Sequence, residues 1–157
     1  MDRIDALEKR LHDLEDERDL RDLLTRYSIA ADMGRNQDYV DLYTEDGAID
    51  LTDMGLPRYQ GPEALMEFIS TLGMLSAITG SHHAVPTQFT IDGDDAVGEG
   101  YGFVINHEID KGTFIINHAN FSRWTFRREN GTWKIVERDV KLLGSTSATK
   151  LFAETLV

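Results

Sequence analysis

The sequence predicts an α+β fold, with helices packed on one face of a curved, mostly antiparallel sheet, and three observations carry that prediction. Apolar residues recur every three or four positions through the N-terminal half, which is the period of a helix. From His82 onward the period changes to two, which is the period of a strand. Between the period-two runs stand Asp92-Gly93-Asp94, Asp110-Lys111-Gly112 and Glu129-Asn130-Gly131, short turn signals suited to antiparallel hairpins.

The helical part opens with Ile4, Leu7, Leu11 and Leu14, an amphipathic stripe that continues through Leu20, Leu23, Leu24, Tyr27 and Ala31. Residues up to Gly34 therefore form one long helix or two in tandem, with any break near residues 16–18. Residues 1–15 read as a helical N-terminal extension whose two heptads either contact another subunit or pack on their own domain. A short amphipathic helix carrying Tyr39, Leu42 and Tyr43 follows, and Asp46-Gly47 turns the chain into a strand near residues 48–52. In Gln60-Gly61-Pro62-Glu63, proline suits a first helical position and the acidic neighbour complements the helix dipole. The helix that starts there buries Leu65, Phe68, Ile69 and Leu72 and runs to Gly73, after which residues 74–80 fit neither period. Strands are expected over residues 82–91, 96–108, 113–127 and 132–143. The tail 145–157 is weakly helical, with Leu151, Phe152 and Leu156 able to dock on a neighbour.

A chain of 157 residues suits one domain with one core. The absence of cysteine excludes disulfides, thiolate catalysis and cysteine-based metal sites. A net charge of −12 disfavours nucleic acid and anionic membrane surfaces as partners, since a field of that sign repels polyanions. No apolar run is long enough to span a bilayer, and the opening Met-Asp-Arg-Ile lacks the pattern of a secretory signal, so the expected compartment is the cytoplasm.

The chemistry-bearing candidates are few. Of the histidines, His12 falls on the charged side of the first helix, and His107 with Glu108 lacks the second histidine of a zinc-protease motif. His82 and His83 are adjacent in a strand, so they point to opposite faces and do not chelate one ion; no metal site is expected. The run Gly98-Glu99-Gly100-Tyr101-Gly102 sits among strand signals with no helix after it, and reads as sheet bending rather than dinucleotide binding. That leaves Tyr27, Asp32 and one histidine of the pair as candidates, while His118, the fifth histidine, is assigned no role.

The element order over residues 26–53, with Tyr27 and Asp32 at the inner end of the first helix, resembles the opening of the SnoaL-like branch of the NTF2-like superfamily. His82-His83-Ala84-Val85-Pro86 ahead of Asp92-Gly93-Asp94, and Gly131-Thr132-Trp133-Lys134-Ile135 in the last hairpin, extend the likeness along nearly the whole chain. The resemblance implies a single domain over residues 1–157, built as a cone around a small-molecule pocket. It also implies that His82 is a base with Asp32 as its partner, as in the bile-acid 7α-dehydratase and hexachlorocyclohexane dehydrochlorinase families, with Tyr27 at the dehydratase tyrosine. Scytalone dehydratase is a more distant analogue. His83 is the alternative if the register slips by one. Two positions depart from the pattern: Pro86 stands where many relatives have asparagine, and Leu142 stands in place of a late arginine for which Lys141 or Arg138 could substitute.

These residues suit a cofactor-free lyase or isomerase. Imidazole titrates near working pH and can take a proton from carbon beside a carbonyl, a carboxylate can orient the ring, and a phenol can donate to developing negative charge. Met33, Tyr43, Met54, Leu56, Tyr59, Phe68, Tyr101, Phe103, Phe121 and Trp124 are available to line an apolar pocket for a cyclic, polyketide-like or steroid-like molecule. The competing readings are a noncatalytic binding or oligomerisation module, and a hydrolase like limonene epoxide hydrolase, whose carboxylate cluster with arginine is not found here. By the same resemblance the protein is expected to be a homo-oligomer, either dimer or trimer.

Overall fold

A computed structural model of the chain describes residues 2–76, 80–84 and 87–146. Pro86 and residues 147–157 of the tail expected to dock on a neighbour lie outside the described residues, as do residues 77–79 of the ambiguous stretch. The elements are α1 (Arg3–Asp32), α2 (Asn36–Asp41), β1 (Tyr43–Asp50), β2 (Arg58–Gln60), α3 (Gly61–Ser76), β3 (Gly80–Ala84), β4 (Gln88–Asp92), β5 (Asp95–Glu108), β6 (Thr113–Glu129) and β7 (Thr132–Leu142). One sheet holds all the strands in the order β2-β1-β7-β6-β5-β3, with β4 also beside β5. Every pairing is antiparallel except β1 with β7. The expected α+β architecture is thus present, with helices and sheet enclosing one core.

α1 is one uninterrupted helix. Asp2 caps its start in a reciprocal box with Asp5, and Gly34, at φ +64°, lets the chain leave its end. Of the two alternatives the single helix holds, and where a break would have fallen, at residues 16–18, there is an anchor: the Asp16 carboxylate is buried and accepts two bonds from Arg128, at 2.7 and 2.8 Å, and one from the Trp133 indole. The apolar stripe is not continuous either. Leu14 and Leu20 stand about 120° apart around the helix, and the two lines they belong to are centred on roughly opposite faces, so Ile4, Leu7, Leu11 and Leu14 face away from the domain while Leu20, Leu23, Leu24, Tyr27 and Ala31 enter the core.

Two further boundaries differ from the sequence reading. Leu42 caps α2 and Tyr43 already belongs to β1, because their backbones pair with Ile135 of β7. Asp46-Gly47 is not a turn before a strand but an irregularity inside β1, where the register to β7 shifts between Tyr43 and Ala48. A Cβ at Gly47 would stand 2.9 Å from the Thr44 carbonyl oxygen and from the Tyr43 Cβ, so only glycine fits this kink.

The stretch 82–91 divides into β3 and β4, which pair with separate parts of β5. Along the inner side of β5 the alternate residues Gly98, Gly100 and Gly102 leave room for Phe89, Thr87 and Asn120 respectively. The last hairpin closes on Asn130 and Gly131, both at positive φ, as a two-residue turn that matches strand twist. Leu20, Leu23, Tyr39, Ile49, Leu65, Ile69, Phe126 and Ile135 are completely buried between the helices and the sheet. Among the described residues no helix is long and apolar enough to cross a membrane.

Candidate active site

The end of α1 and the start of the β3 edge meet at Asp32 and His82. An acidic residue in the last turn of a helix is disfavoured by the helix dipole, so Asp32 needs donors from elsewhere. Among the described residues His82 supplies them. Its backbone N–H lies 3.0 Å from each carboxylate oxygen, and its Nδ1 lies 2.6 Å from Oδ1. Since a carboxylate accepts, Nδ1 carries the proton and the lone pair of the neutral ring is on Nε2. Both side chains are mostly covered, at 17% and 21% exposure.

His82 stands between two concavities. On one side an open cleft contains Asp32, Thr25 and Ile29; on the other a cavity of about 90 Å³ penetrates between α1 and the sheet. His82 borders both, whereas Asp32 borders only the cleft. The carboxylate therefore reaches the cavity through the imidazole. His83 also borders both concavities, but it leaves from the other strand face, where its ring stacks on Phe103 at 5.2 Å and its Nε2 meets the Ser81 hydroxyl at 2.8 Å. This settles which histidine contacts Asp32.

A second polar group enters from the far wall. Arg138 donates to the Tyr27 hydroxyl at 2.8 Å and to the Ser122 hydroxyl at 3.1 and 3.2 Å, and its guanidinium lies over the Trp124 ring at 4.6 Å. Among the described residues no carboxylate pairs with it. The Tyr27 hydroxyl is 3.0 Å from that of Tyr39, which is 3.1 Å from that of Tyr43. Burial pushes the Tyr39 and Tyr43 phenols well above their ordinary pKa, so both remain protonated. If Tyr43 donates to Tyr39 and Tyr39 to Tyr27, the Tyr27 oxygen accepts from Tyr39 and Arg138 and keeps its own proton for the cavity.

His118 is the site residue that sequence reasoning listed without a role. It pairs with Val104 of β5, as does His82 from the other side, so the three share one inner row and both imidazoles line the cavity. Burial chiefly, with the charges of His82 and Arg138, lowers its pKa below the ordinary histidine value. His118 is accordingly neutral at pH 7.

Met54, Leu56, Phe68 and Trp124 line the cavity with Leu24, Ile49, Leu51 and Val140. Tyr101 and Phe103 border it but alternate with the inward glycines, and their rings contact Phe121 and His83 on the outer side. Phe121 is not in the lining, since it alternates with the inward Asn120 and Ser122 on β6. Tyr43 is not in it either, being enclosed behind Tyr39. Met33 lies exposed at the helix cap, and Tyr59 packs on Phe68 at 5.0 Å.

A model of the SnoaL-like domain matches residues 12–139. The chain belongs to the SnoaL-like domain family. An NTF2-like protein with a cystatin-like fold from Novosphingobium aromaticivorans is 33% identical over 96% of this chain and 97% of its own, with a TM-score of 0.86. Hexachlorocyclohexane dehydrochlorinase LinA-type3 from Novosphingobium barchaimii is 17% identical, covering 87% and 92% of the two chains, with a TM-score of 0.72. A protein with a cystatin-like fold from Nostoc punctiforme is 21% identical, covering 83% and 92%, with a TM-score of 0.71. At the last two identities the likeness is one of fold, and this SnoaL-like domain shares the NTF2-like architecture with all three. None of the curated proteins matches it.

Proposed function

We propose that this SnoaL-like protein is a cofactor-free lyase or isomerase of the dehydratase type, acting on a compact, largely apolar ring that carries a carbonyl. The observation that carries the reading is the 2.6 Å contact of His82 Nδ1 with Asp32, which leaves Nε2 as the basic nitrogen of a side chain bordering the cavity that Tyr27, His118 and Arg138 also line. Pockets for drug-sized ligands run on the order of 300–1,000 Å³, so about 90 Å³ favours one or two rings over a steroid. A binding module without catalysis has no need of a carboxylate placed behind a histidine, and that contact is what favours the enzyme.

In the proposed step His82 Nε2 removes the proton on carbon adjacent to the carbonyl. The electron pair forms a C=C bond as the neighbouring C–O bond breaks, and the hydroxyl leaves with the Tyr27 proton as water. Asp32 stabilises the imidazolium, and Arg138 stabilises the phenolate of Tyr27 until it is reprotonated at the expense of His82. In isomerisation the same proton would return to a different carbon.

Proton abstraction can be read without knowing the leaving group, as deuterium uptake from D2O at the α-carbon of small cyclic ketones. The wild-type protein is expected to catalyse exchange, and His82→Ala to lose it by about 10³-fold with an unchanged circular dichroism spectrum. Exchange retained in that variant would reject His82 as the base.

A further inference from the structure

Over the first four turns of α1 one side borders an open groove with residues 91–94 at the β4–β5 turn, and the opposite side is bare. Ile4, Leu7, Leu11 and Leu14 are 62%, 53%, 58% and 65% exposed, a continuous apolar line with nothing of the described chain on it. Spacings of three, four and three place them at successive a and d positions of two heptads. Isolated, so short a helix would be marginal. Here it continues a helix already held by the domain from Asp16 onward, so no separate nucleation is required.

The direction of this line matters. At about 100° per residue its centre lies roughly 180° from the line of Leu20, Leu23, Tyr27 and Ala31 that packs on the domain. A second helix can therefore seat on it while both domains stay on the outer flanks. We propose that the arm pairs in parallel and in register with the same arm of a second copy of this chain, as a two-heptad coiled coil.

Charge selects the occupant and its direction. With Ile4 and Leu11 at a, and Leu7 and Leu14 at d, the g positions are Arg3 and Arg10 and the e positions are Glu8 and Glu15, all exposed. A parallel pair sets each g residue against the following e residue of the other helix, so Arg3 meets Glu8 of the partner subunit and Arg10 meets Glu15 of the partner subunit. An antiparallel pair would set arginine against arginine and glutamate against glutamate. Leucine at both d positions with isoleucine at the first a position favours two strands. The seam ends where the next a and d positions are Arg18 and Arg21, which pair within α1 to Asp19 and Glu17.

The full chain is expected to sediment as a dimer at tens of micromolar, and Leu7→Glu/Leu11→Glu as a monomer of the same fold. Reversing the e charges with Glu8→Arg/Glu15→Arg should raise the dissociation constant by about tenfold or more. Because the chain has no cysteine, direction is read from Leu14→Cys: a parallel pair brings the two thiols together and oxidation links them. In an antiparallel pair each would face Ile4 of the partner subunit, about 15 Å from its own counterpart and beyond disulfide reach. A monomeric wild type, a dimer that survives Leu7→Glu/Leu11→Glu, or a Leu14→Cys variant that stays unlinked on oxidation would each overturn the proposal.

Discussion

Asp32 gains from His82 what its helix denies it, since a carboxylate at a helix C-terminus sits against unsatisfied carbonyls and a negative dipole end. A residue placed against local preference and rescued by a distant donor needs a reason, and the proposed function supplies one. Asp32→Asn keeps the shape but offers no charge for the imidazolium and no fixed choice of tautomer. We expect kcat for proton exchange to fall by about 10²–10⁴-fold with little change in melting temperature, as measured by NMR exchange and thermal denaturation. Arg138→Gln should cost about 10²-fold, since it removes the cation behind the Tyr27 oxygen. His118 adds a pH signature. Its folded pKa lies below the unfolded value near 6.5, so above that pH both states are neutral and stability is unaffected. As pH falls below 6.5 the unfolded chain takes up the proton first, and stability declines until the folded pKa is passed. Denaturant titrations between pH 7.5 and pH 5 should show this slope flattened in His118→Asn. Tyr27, Asp32 and His82 were legible in the sequence as candidates, through their register with a known pattern, whereas His118 carries no motif. Only the pairing of two strands with the same Val104 places it opposite His82.

At the scale of elements, periodicity located each helix and most of the sheet, and its errors have physical causes. The stripe along α1 looked continuous because every gap but one is three or four residues or less; the six-residue step from Leu14 to Leu20 swaps helix faces. Asp46-Gly47 carries a strong local turn signal, yet pairing on both sides of β1 keeps those residues in the strand and turns the signal into a bulge. The glycines of β5 read as bend sites, and the structure adds a reason for their spacing. Each inward position would otherwise press a methyl group into a neighbour, most sharply at Gly100, where a Cβ would stand 2.8 Å from the Thr87 hydroxyl oxygen. Gly100→Ala is therefore expected to destabilise the fold by about 1–3 kcal/mol in urea titrations. The adjacent outward substitution Glu99→Ala should change stability by no more than about 0.5 kcal/mol.

For the molecule as a whole, the longest tie in sequence is among the most enclosed charged contacts. Asp16 joins α1 to Arg128 at the end of β6 and to Trp133 at the start of β7, with the guanidinium over the indole at 4.4 Å. Nothing in the local sequence announces this, because the partners lie more than a hundred residues away and Asp16 reads as one charge among many on a polar helix. The contact fixes where the domain ends and the free arm begins, so it bears on both halves of α1. Its Arg128 bonds hold the Asp16 carboxyl below the ordinary carboxylate range. A folded pKa depressed in this way contributes stability that is complete above the unfolded value near 3.8 and is lost as pH falls through the folded value. Asp16→Asn leaves Arg128 with only its exposed partner Asp94, and should cost about 3 kcal/mol at pH 7. Below the folded pKa of Asp16 the wild type has lost the same charge, so the two proteins should converge there. Parallel urea titrations at pH 7 and at the acid limit of folding test this, and a gap between them that did not shrink with acid would mean that the contact acts through shape rather than charge.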